Sequence, residues 1–351
     1  MMGFISKFKF LLCSLVAVAL FGVGHMDGKI QGGVAGAQAQ DFETDVSPHR
    51  SAFSEGDGVR LNYLDWGGDG PPLILIHGIA NSPHVFDDLA PLLRDRFHVI
   101  AYARRGHGQS EAPAGPYDSN ALVGDLVHLL DNLHIQRANL LGWSMGGNEV
   151  TEFAGRYPDR VDKIVYLEGG YDWSDPVFFK AFTDMLAANS PKPETLRSLD
   201  ALRTWYRAAW IGRDVPWTPA LEAFLRDAVR IAPNGQVDPI PSIEVFGALH
   251  QTLGTWRRDY TKVGAPALAI YGTSFFPQDN GDTDLARKLR EFEKGAAQPF
   301  RRASIDRVRR ELRDVRVMEI NERTHMSIGV IAPDALAASI KDFLSSGSST
   351  R

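Results

Sequence analysis

A possible nucleophile stands in the pentapeptide GWSMG, residues 142–146, whose central residue is Ser144. The apolar stretch 138–143 is typical of a buried strand, and residues 147–157 have helical spacing. A sharp turn from a strand into a helix pushes a serine hydroxyl out at the carboxyl end of the strand, and glycines beside it leave room for the strained backbone. The motif in this context predicts a nucleophilic serine.

A serine nucleophile needs a base to take its proton and a carboxylate to orient that base. The chain has ten histidines, of which His325 follows VRVMEI, residues 315–320, the last apolar stretch that looks like a strand. Glu168 ends the apolar segment IVYLEGG, 24 residues after Ser144. A carboxylate at the end of an apolar strand needs a partner, because buried charge is costly when it is unpaired. His325 and Glu168 are therefore candidates for these roles.

Strand-like and helix-like stretches alternate over most of the chain. Strands are predicted at 59–66, 73–78, 97–103, 138–144, 161–168, 265–272 and 315–320, and helices at 86–93, 121–133, 147–157 and 333–344. This alternation indicates an α/β fold with a mostly parallel central sheet and helices on both faces. Between residues 171 and 262 the alternation gives way to a mainly helical segment, which we expect to be inserted over the sheet.

The first 39 residues are expected to be a secretory signal peptide. Lys7 and Lys9 precede the apolar run 10–23, and residues 37–39 offer an A-x-A cleavage site after Ala39. An uncleaved anchor is the alternative, although the run is short for a membrane span. The expected organisation is a leader at 1–39, a first part of the core at 40–170, a helical cap at 171–262 and a second part of the core at 263–351.

Composition narrows the possible functions. Cys13, in the leader, is the only cysteine, so the cleaved chain has neither a thiol nucleophile nor cysteine metal ligands. The net charge is −5, and no large basic tract stands out apart from a helix of mixed charge predicted near the C-terminus, so nucleic acid and anionic membrane surfaces are not expected partners. We expect an exported protein, periplasmic or secreted, without stable membrane insertion after cleavage.

The chain resembles the α/β-hydrolases that carry a helical cap. The matching segments occur in that family's order from roughly residue 57 to residue 345, with the cap unmatched: LILIHG, RRGHGQS, LLGWSMGG, RYPDRVDKIVYLE, APALAIYG and THMS. The resemblance implies that Ser144 is the nucleophile and His325 the base. It also implies an oxyanion hole made by the backbone N–H groups of Ile79 and Met145, with no metal and no cofactor.

The sequence departs from the usual family pattern at the acid. The loop after AIYG normally supplies an acid about three residues past the glycine, and Phe275 stands there. Some branches, including haloalkane dehalogenases, carry a glutamate about two dozen residues after the nucleophile instead, which matches Glu168. We therefore expect Glu168 to be the acid, with Asp279 in the same loop as the alternative. A turn-forming aspartate of the family is also replaced, by Ala103.

The aromatic residues indicate the character of the substrate. Five of the seven tryptophans lie between residues 171 and 262. Most must pack the cap against the core, but some are expected to face the cleft between cap and sheet, where ligands collect in such folds. The expected pocket residues are Trp143, His84, Phe275, Phe276 and Trp173. They favour a largely apolar acyl or alcohol group.

These observations predict a serine hydrolase that cleaves a carboxylic ester or lactone of a largely apolar small molecule through an acyl-enzyme. A C–C bond hydrolase and an aminopeptidase of the same fold are alternatives, and a haloperoxidase reaction would be a side activity. A non-catalytic binding protein with a hydrolase fold is the alternative from a different class. Such proteins usually lack the serine or the histidine, and both are present here.

Overall fold

An eight-stranded sheet forms the centre of the protein. The computed structural model describes residues 47–54, 58–278, 283–329 and 333–346, so the predicted leader and Asp279 lie outside the described residues. The strands of the sheet are β1 (Arg50–Ser54), β2 (Leu61–Gly67), β3 (Pro72–Ile76), β4 (His98–Tyr102), β5 (Ala138–Trp143), β6 (Val161–Leu167), β9 (Ala267–Ser274) and β10 (Val315–Thr324). Their order is β1-β2-β4-β3-β5-β6-β9-β10. Strand β2 pairs antiparallel with β1 and β4, and the other pairings are parallel.

Helices cover both faces of the sheet. The described residues contain α1 (Ala90–Leu93), α2 (Ser119–Asn132), α3 (Gly146–Arg156), α4 (Pro176–Ala188), α5 (Leu199–Tyr206), α6 (Pro219–Asp227), α7 (Ile243–Thr255), α8 (Asp284–Phe292), α9 (Gln298–Glu311) and α10 (Pro333–Ser345). Leu140 and Leu141 of β5 belong to different hydrophobic clusters, one on each face of the sheet. Their burial explains the continuous apolar runs, which are typical of parallel strands covered on both sides. The predicted α/β class and mostly parallel sheet are confirmed.

The segment between β6 and β9 contains helices α4 to α7 and a small hairpin, β7 (Val229–Ile231) and β8 (Val237–Pro239). Each of these helices begins after a Ser, Thr or Asp whose side chain accepts a backbone N–H of the first turn: Asp175, Ser198, Thr218 and Ser242. Such side chains satisfy N–H groups that have no partner within the helix. The domain boundaries drawn from the sequence stay predictions. Across the described ranges, every helix is too short or too polar to cross a membrane.

The local structure differs from the sequence prediction in several places. The helix predicted at 86–93 is a 3₁₀ turn, Pro83–Phe86, followed by the short α1. Pro91 explains the interruption, because proline has no N–H to donate and is tolerated only in the first turn of a helix. Strand β1, the β7–β8 hairpin and helix α8 were not predicted.

Candidate active site

The candidate catalytic side chains meet at one edge of the sheet. Ser144 follows β5, Glu168 follows β6, and His325 follows β10. These strands run in one direction, so their carboxyl ends lie on the same side, which is where ligands bind in open α/β sheets.

Ser144 and Glu168 have a left-handed backbone conformation. The φ angle is 54° at Ser144 and 46° at Glu168, and neither is a glycine. The two turns pack closely, since a Cβ atom added to Gly147 would lie 2.1 Å from the carbonyl oxygen of Gly169. Glycine at both positions therefore allows the nucleophile turn to approach the end of β6. Strained backbone of this kind is concentrated at functional sites.

His325 bridges the serine and the glutamate. Its Nδ1 lies 2.7 Å from Glu168 Oε2, and its Nε2 lies 2.9 Å from Ser144 Oγ. All three side chains are buried, with Glu168 fully covered. Since an ionised carboxylate only accepts hydrogen bonds, Nδ1–H donates to Glu168 and Nε2 is left to accept the serine proton. This is the geometry that a general base needs.

Other donors surround the Glu168 carboxylate. The hydroxyl of Tyr171 donates to it at 3.0 and 3.2 Å, and the N–H of Gly272 forms a short bond to Oε1. Burial, and then the charge of Glu168, raises the pKa of Tyr171 well above its ordinary value of 10, so this hydroxyl keeps its proton. Together with His325, these donors satisfy a carboxylate that would otherwise be costly to bury.

The turns at Gly78 and Ser144 contain the two N–H groups that were predicted to form the oxyanion hole. Among the described residues, the N–H groups of Ile79 and Met145 have no hydrogen-bond partner. The N–H of Ala80 is not available, because it donates to His107 Nε2 at 3.1 Å. A Cβ added to Gly78 would lie 3.1 Å from Ser144 Cβ, so this loop packs directly against the nucleophile.

Aromatic rings of the β9 loop and the cap surround the imidazole. Phe275 stacks on His325 with a centroid distance of 5.1 Å and an interplanar angle of 14°, and Trp173 meets it edge-on at 5.6 Å. Phe276 lies further out, against Trp210 at 5.1 Å. These placements agree with an aromatic wall beside the candidate site.

Two of the expected pocket residues are placed differently. Trp143 is fully buried in the core beside Phe86, and its Nε1–H donates to the backbone oxygen of His325 at 3.0 Å. It supports the histidine loop from within the core. His84 hydrogen-bonds Asp87 at 2.8 Å and packs its ring against His49. The sequence around Trp143 and His84 does not distinguish packing from pocket lining.

Tyr171 was not predicted from the sequence to be a neighbour of the candidate acid. The signal available was its position, three residues after Glu168 and just past the Gly169-Gly170 pair. For metals, the described part of the chain has no group of three His, Cys, Asp or Glu side chains arranged to hold an ion.

Known proteins resemble this chain in sequence and in structure. Residues 71–274 match the family model of the α/β hydrolase fold. The non-heme chloroperoxidase of Streptomyces lividans is 34% identical over 232 residues, covering 62% of this chain and 79% of that protein. The 2-(acetamidomethylene)succinate hydrolase of Mesorhizobium japonicum is 28% identical over 224 residues, covering 62% of this chain and 75% of that protein.

A crystal structure of E-2-(acetamidomethylene)succinate hydrolase superimposes with a TM-score of 0.66 at 23% identity, covering 85% of this chain and 100% of that one. Uncharacterised mycobacterial proteins are 34% identical over 126 residues, and there the match spans only 37% of their length. The family model covers more than half of the chain, and its span includes β3 to β6 and β9. The chain therefore belongs to the α/β-hydrolase fold family.

Proposed function

We propose that this protein is a serine hydrolase that cleaves a carboxylic ester or lactone of a largely apolar small molecule. The observation that carries the proposal is the placement of His325, with Nε2 2.9 Å from Ser144 Oγ and Nδ1 2.7 Å from Glu168 Oε2. Serine, histidine and carboxylate in this order are the parts of an acyl-transfer site.

In the first half of the reaction, Ser144 Oγ attacks the substrate carbonyl carbon while His325 Nε2 takes the hydroxyl proton. The carbonyl oxygen becomes an oxyanion, which accepts hydrogen bonds from the N–H groups of Ile79 and Met145. Glu168 stabilises the imidazolium. The bond from the carbonyl carbon to the alcohol oxygen then breaks, and the leaving alcohol takes the proton from His325.

The second half releases the acyl group. A water molecule attacks the acyl carbon as His325 Nε2 takes one of its protons, and the oxyanion forms again at the same two N–H groups. The bond to Ser144 Oγ then breaks, and the serine recovers its proton from His325. The products are the carboxylic acid and the free enzyme.

The surroundings of the histidine support an apolar substrate group. The Phe275 and Trp173 rings contact the imidazole, and Phe178 and Phe182 of α4 pack behind them. A substrate carbonyl above Ser144 would place its acyl or alcohol part beside these rings. Ser144 is only 7% exposed, so we expect entry of the substrate to require displacement of the covering residues.

The same triad can hydrolyse other bonds, so a C–C bond hydrolase and an aminopeptidase stay alternative proposals. The relative named 2-(acetamidomethylene)succinate hydrolase favours a small acid as a second candidate substrate class. The non-heme chloroperoxidase similarity is compatible with a perhydrolase side reaction.

The test is the hydrolysis of a substrate panel by purified protein. We expect p-nitrophenyl esters or lactones to be hydrolysed by the wild type and not by Ser144→Ala, with amides and succinate-derived acids turned over far more slowly. If the protein hydrolyses an amide or a succinate derivative but no ester and no lactone, the proposed substrate class is wrong.

We also propose that the protein is exported, on the basis of the leader-like residues 1–39. Sequencing the N-terminus of protein recovered from outside the cytoplasm should find a chain that begins at Gln40. Recovery of the uncleaved chain in the cytoplasm would contradict export.

A further inference from the structure

A fully buried arginine holds the loop that carries Ile79. Arg104, in the turn after β4, is 0% exposed. Its Nη1 donates to the carbonyl oxygen of Gly78 at 3.2 Å, and its Nη2 donates to that of His77 at 2.7 Å. One guanidinium therefore binds two successive carbonyl groups of the loop next to Ser144.

The bond to Gly78 has a consequence for the next N–H group. The Gly78 carbonyl and the Ile79 N–H belong to the same peptide unit, which is planar and trans, so they point in opposite directions. When Arg104 fixes the direction of the carbonyl, it fixes the direction of the N–H as well. That N–H has no hydrogen-bond partner among the described residues.

Arg104 is itself held in place by Glu149 of α3. The arginine Nε donates to Glu149 Oε1 at 2.7 Å, and Nη2 makes a shorter bond to the same oxygen. The hydroxyl of Tyr102 donates to Glu149 Oε2 at 2.8 Å. Glu149 is also 0% exposed, and it lies in the first turn of the helix that follows Ser144. The pair thus connects the helix of the nucleophile to the loop of Ile79.

His77 adds a second bond to the same carbonyl. Its Nε2 accepts the backbone N–H of Arg104 at 3.1 Å, so Nδ1 carries the proton and donates to Gly78 O at 2.7 Å. Burial, and then the charge of Arg104, lowers the pKa of His77 well below its ordinary value of 6.5, so the ring is neutral. The Gly78 carbonyl thus accepts hydrogen bonds from two directions.

We propose that Arg104 is a positioning residue of the oxyanion hole, which aims the Ile79 N–H through the Gly78 carbonyl while Glu149 and Tyr102 hold its guanidinium. This inference rests on the proposed function. In this role Arg104 does not contact the substrate. Its effect is expected on the transition state, because misplacing a catalytic group by about 1 Å can cost ~10²-fold in rate.

The chain offers a matched control. Arg105, the next residue, forms a second buried ion pair, with Asp125 of α2, at 2.6 and 2.7 Å. Its remaining side-chain bonds go to the carbonyl oxygens of Pro116 and Ala121. The double variant Arg104→Gln/Glu149→Gln removes both charges of the first pair, and Arg105→Gln/Asp125→Asn does the same for the second.

Each variant is measured for its turnover of a p-nitrophenyl ester and for its affinity for an alkyl boronate. An alkyl boronate forms a tetrahedral adduct with a catalytic serine. We expect Arg104→Gln/Glu149→Gln to lower kcat by about 10²-fold, to leave KM within about twofold, and to weaken boronate binding by about the same factor as kcat. The Arg105→Gln/Asp125→Asn control should keep kcat within about twofold. If the first double variant does not fold, Arg104→Lys should show the same pattern, because it keeps the charge but has one nitrogen in place of the three that bind Glu149 and the two carbonyls.

The inference is overturned if the Arg104 variants match the control in kcat and boronate affinity. It is also overturned if they change KM and kcat alike with no loss of boronate binding, because that result indicates a purely structural role. A wild type that neither hydrolyses esters nor reacts with a fluorophosphonate would overturn the proposed function and this inference with it. A reactive wild type beside unaffected Arg104 variants overturns the inference alone.

Discussion

The carboxylate of Glu168 lies 2.7 Å from Nδ1 of His325, across the ends of β6 and β10. The Phe275 ring stacks on the same imidazole at 5.1 Å, so the loop after β9 supplies an aromatic wall, while the carboxylate comes from the end of the neighbouring strand β6. The two observations explain each other, since a histidine oriented from β6 needs no acid at the position of Phe275.

Removal of the Glu168 charge should therefore disable the histidine. Glu168→Gln keeps the size of the side chain but no longer stabilises the imidazolium, and we expect kcat for a p-nitrophenyl ester to fall by about 10⁴-fold. Asp279→Asn should leave kcat within about twofold. Steady-state kinetics of the two purified variants makes the comparison.

The opposite result, with a large loss in Asp279→Asn and a small one in Glu168→Gln, would return the acid to the loop after β9. Thermal unfolding of both variants serves as the control, because a drop in activity counts only when the variant is folded.

The turns at Ser144 and Glu168 approach each other closely at Gly147. Substitution by alanine should therefore have different effects at Gly147 and at Gly124, which both lie in helices. Gly147→Ala would place a Cβ 2.1 Å from Gly169 O, which forces the nucleophile turn away from Glu168. We expect a loss of about 1–3 kcal/mol in the free energy of unfolding and at least a tenfold loss of kcat. Gly124→Ala in α2 meets open space and should stabilise by about 0.5–1 kcal/mol.

Urea unfolding and ester turnover of the Gly147→Ala and Gly124→Ala variants test this contrast. If Gly147→Ala behaved like Gly124→Ala, the packing between the two turns would not constrain the site.

Acid should destabilise the protein partly through His250 of the cap. Burial lowers the pKa of His250 to about 4 from its ordinary value of 6.5. Between pH 6.5 and 4 the unfolded chain binds a proton that the folded chain does not, so stability falls as the pH falls. The difference between the two pKa values corresponds to at most about 3 kcal/mol.

His250→Gln should remove this dependence of stability on pH, so the variant loses less unfolding free energy than the wild type between pH 7 and pH 4. Urea unfolding at both pH values gives the comparison, and His128→Gln, at an exposed histidine, is the control. Equal losses in His250→Gln and the wild type would show that His250 is not held neutral by burial.

The sequence allowed the fold class to be predicted because its strands are buried on both faces. Runs such as LILIHG and IVYLEGG combine continuous apolar character with turn residues, and the apolar part of each lies in a strand of the central sheet. The helix expected at 86–93 is broken because Pro91 outweighs the apolar spacing around it. Local sequence patterns therefore predict individual strands and helices better than they predict the contacts between them.

The contacts around the candidate site were harder to predict. The positions of Ser144, Glu168 and His325 at or after predicted parallel strands, together with the resemblance to the α/β-hydrolases, predicted that the three side chains meet, with Asp279 as the alternative acid. The contacts of Tyr171 and Arg104 depend on how separate turns pack against each other. No local sequence pattern predicts that packing. The available signal was the position of Arg104 directly after a buried apolar strand, since a buried arginine requires a partner.

The nucleophilic role of Ser144 is best tested by the reaction of the purified protein with a fluorophosphonate probe, followed by mass spectrometry of the labelled peptide. We expect one phosphonyl group per chain, located on Ser144, with labelling abolished in Ser144→Ala and slowed in Glu168→Gln. If the wild type does not react, or if Ser144→Ala is labelled as well as the wild type, Ser144 is not the nucleophile of a serine hydrolase.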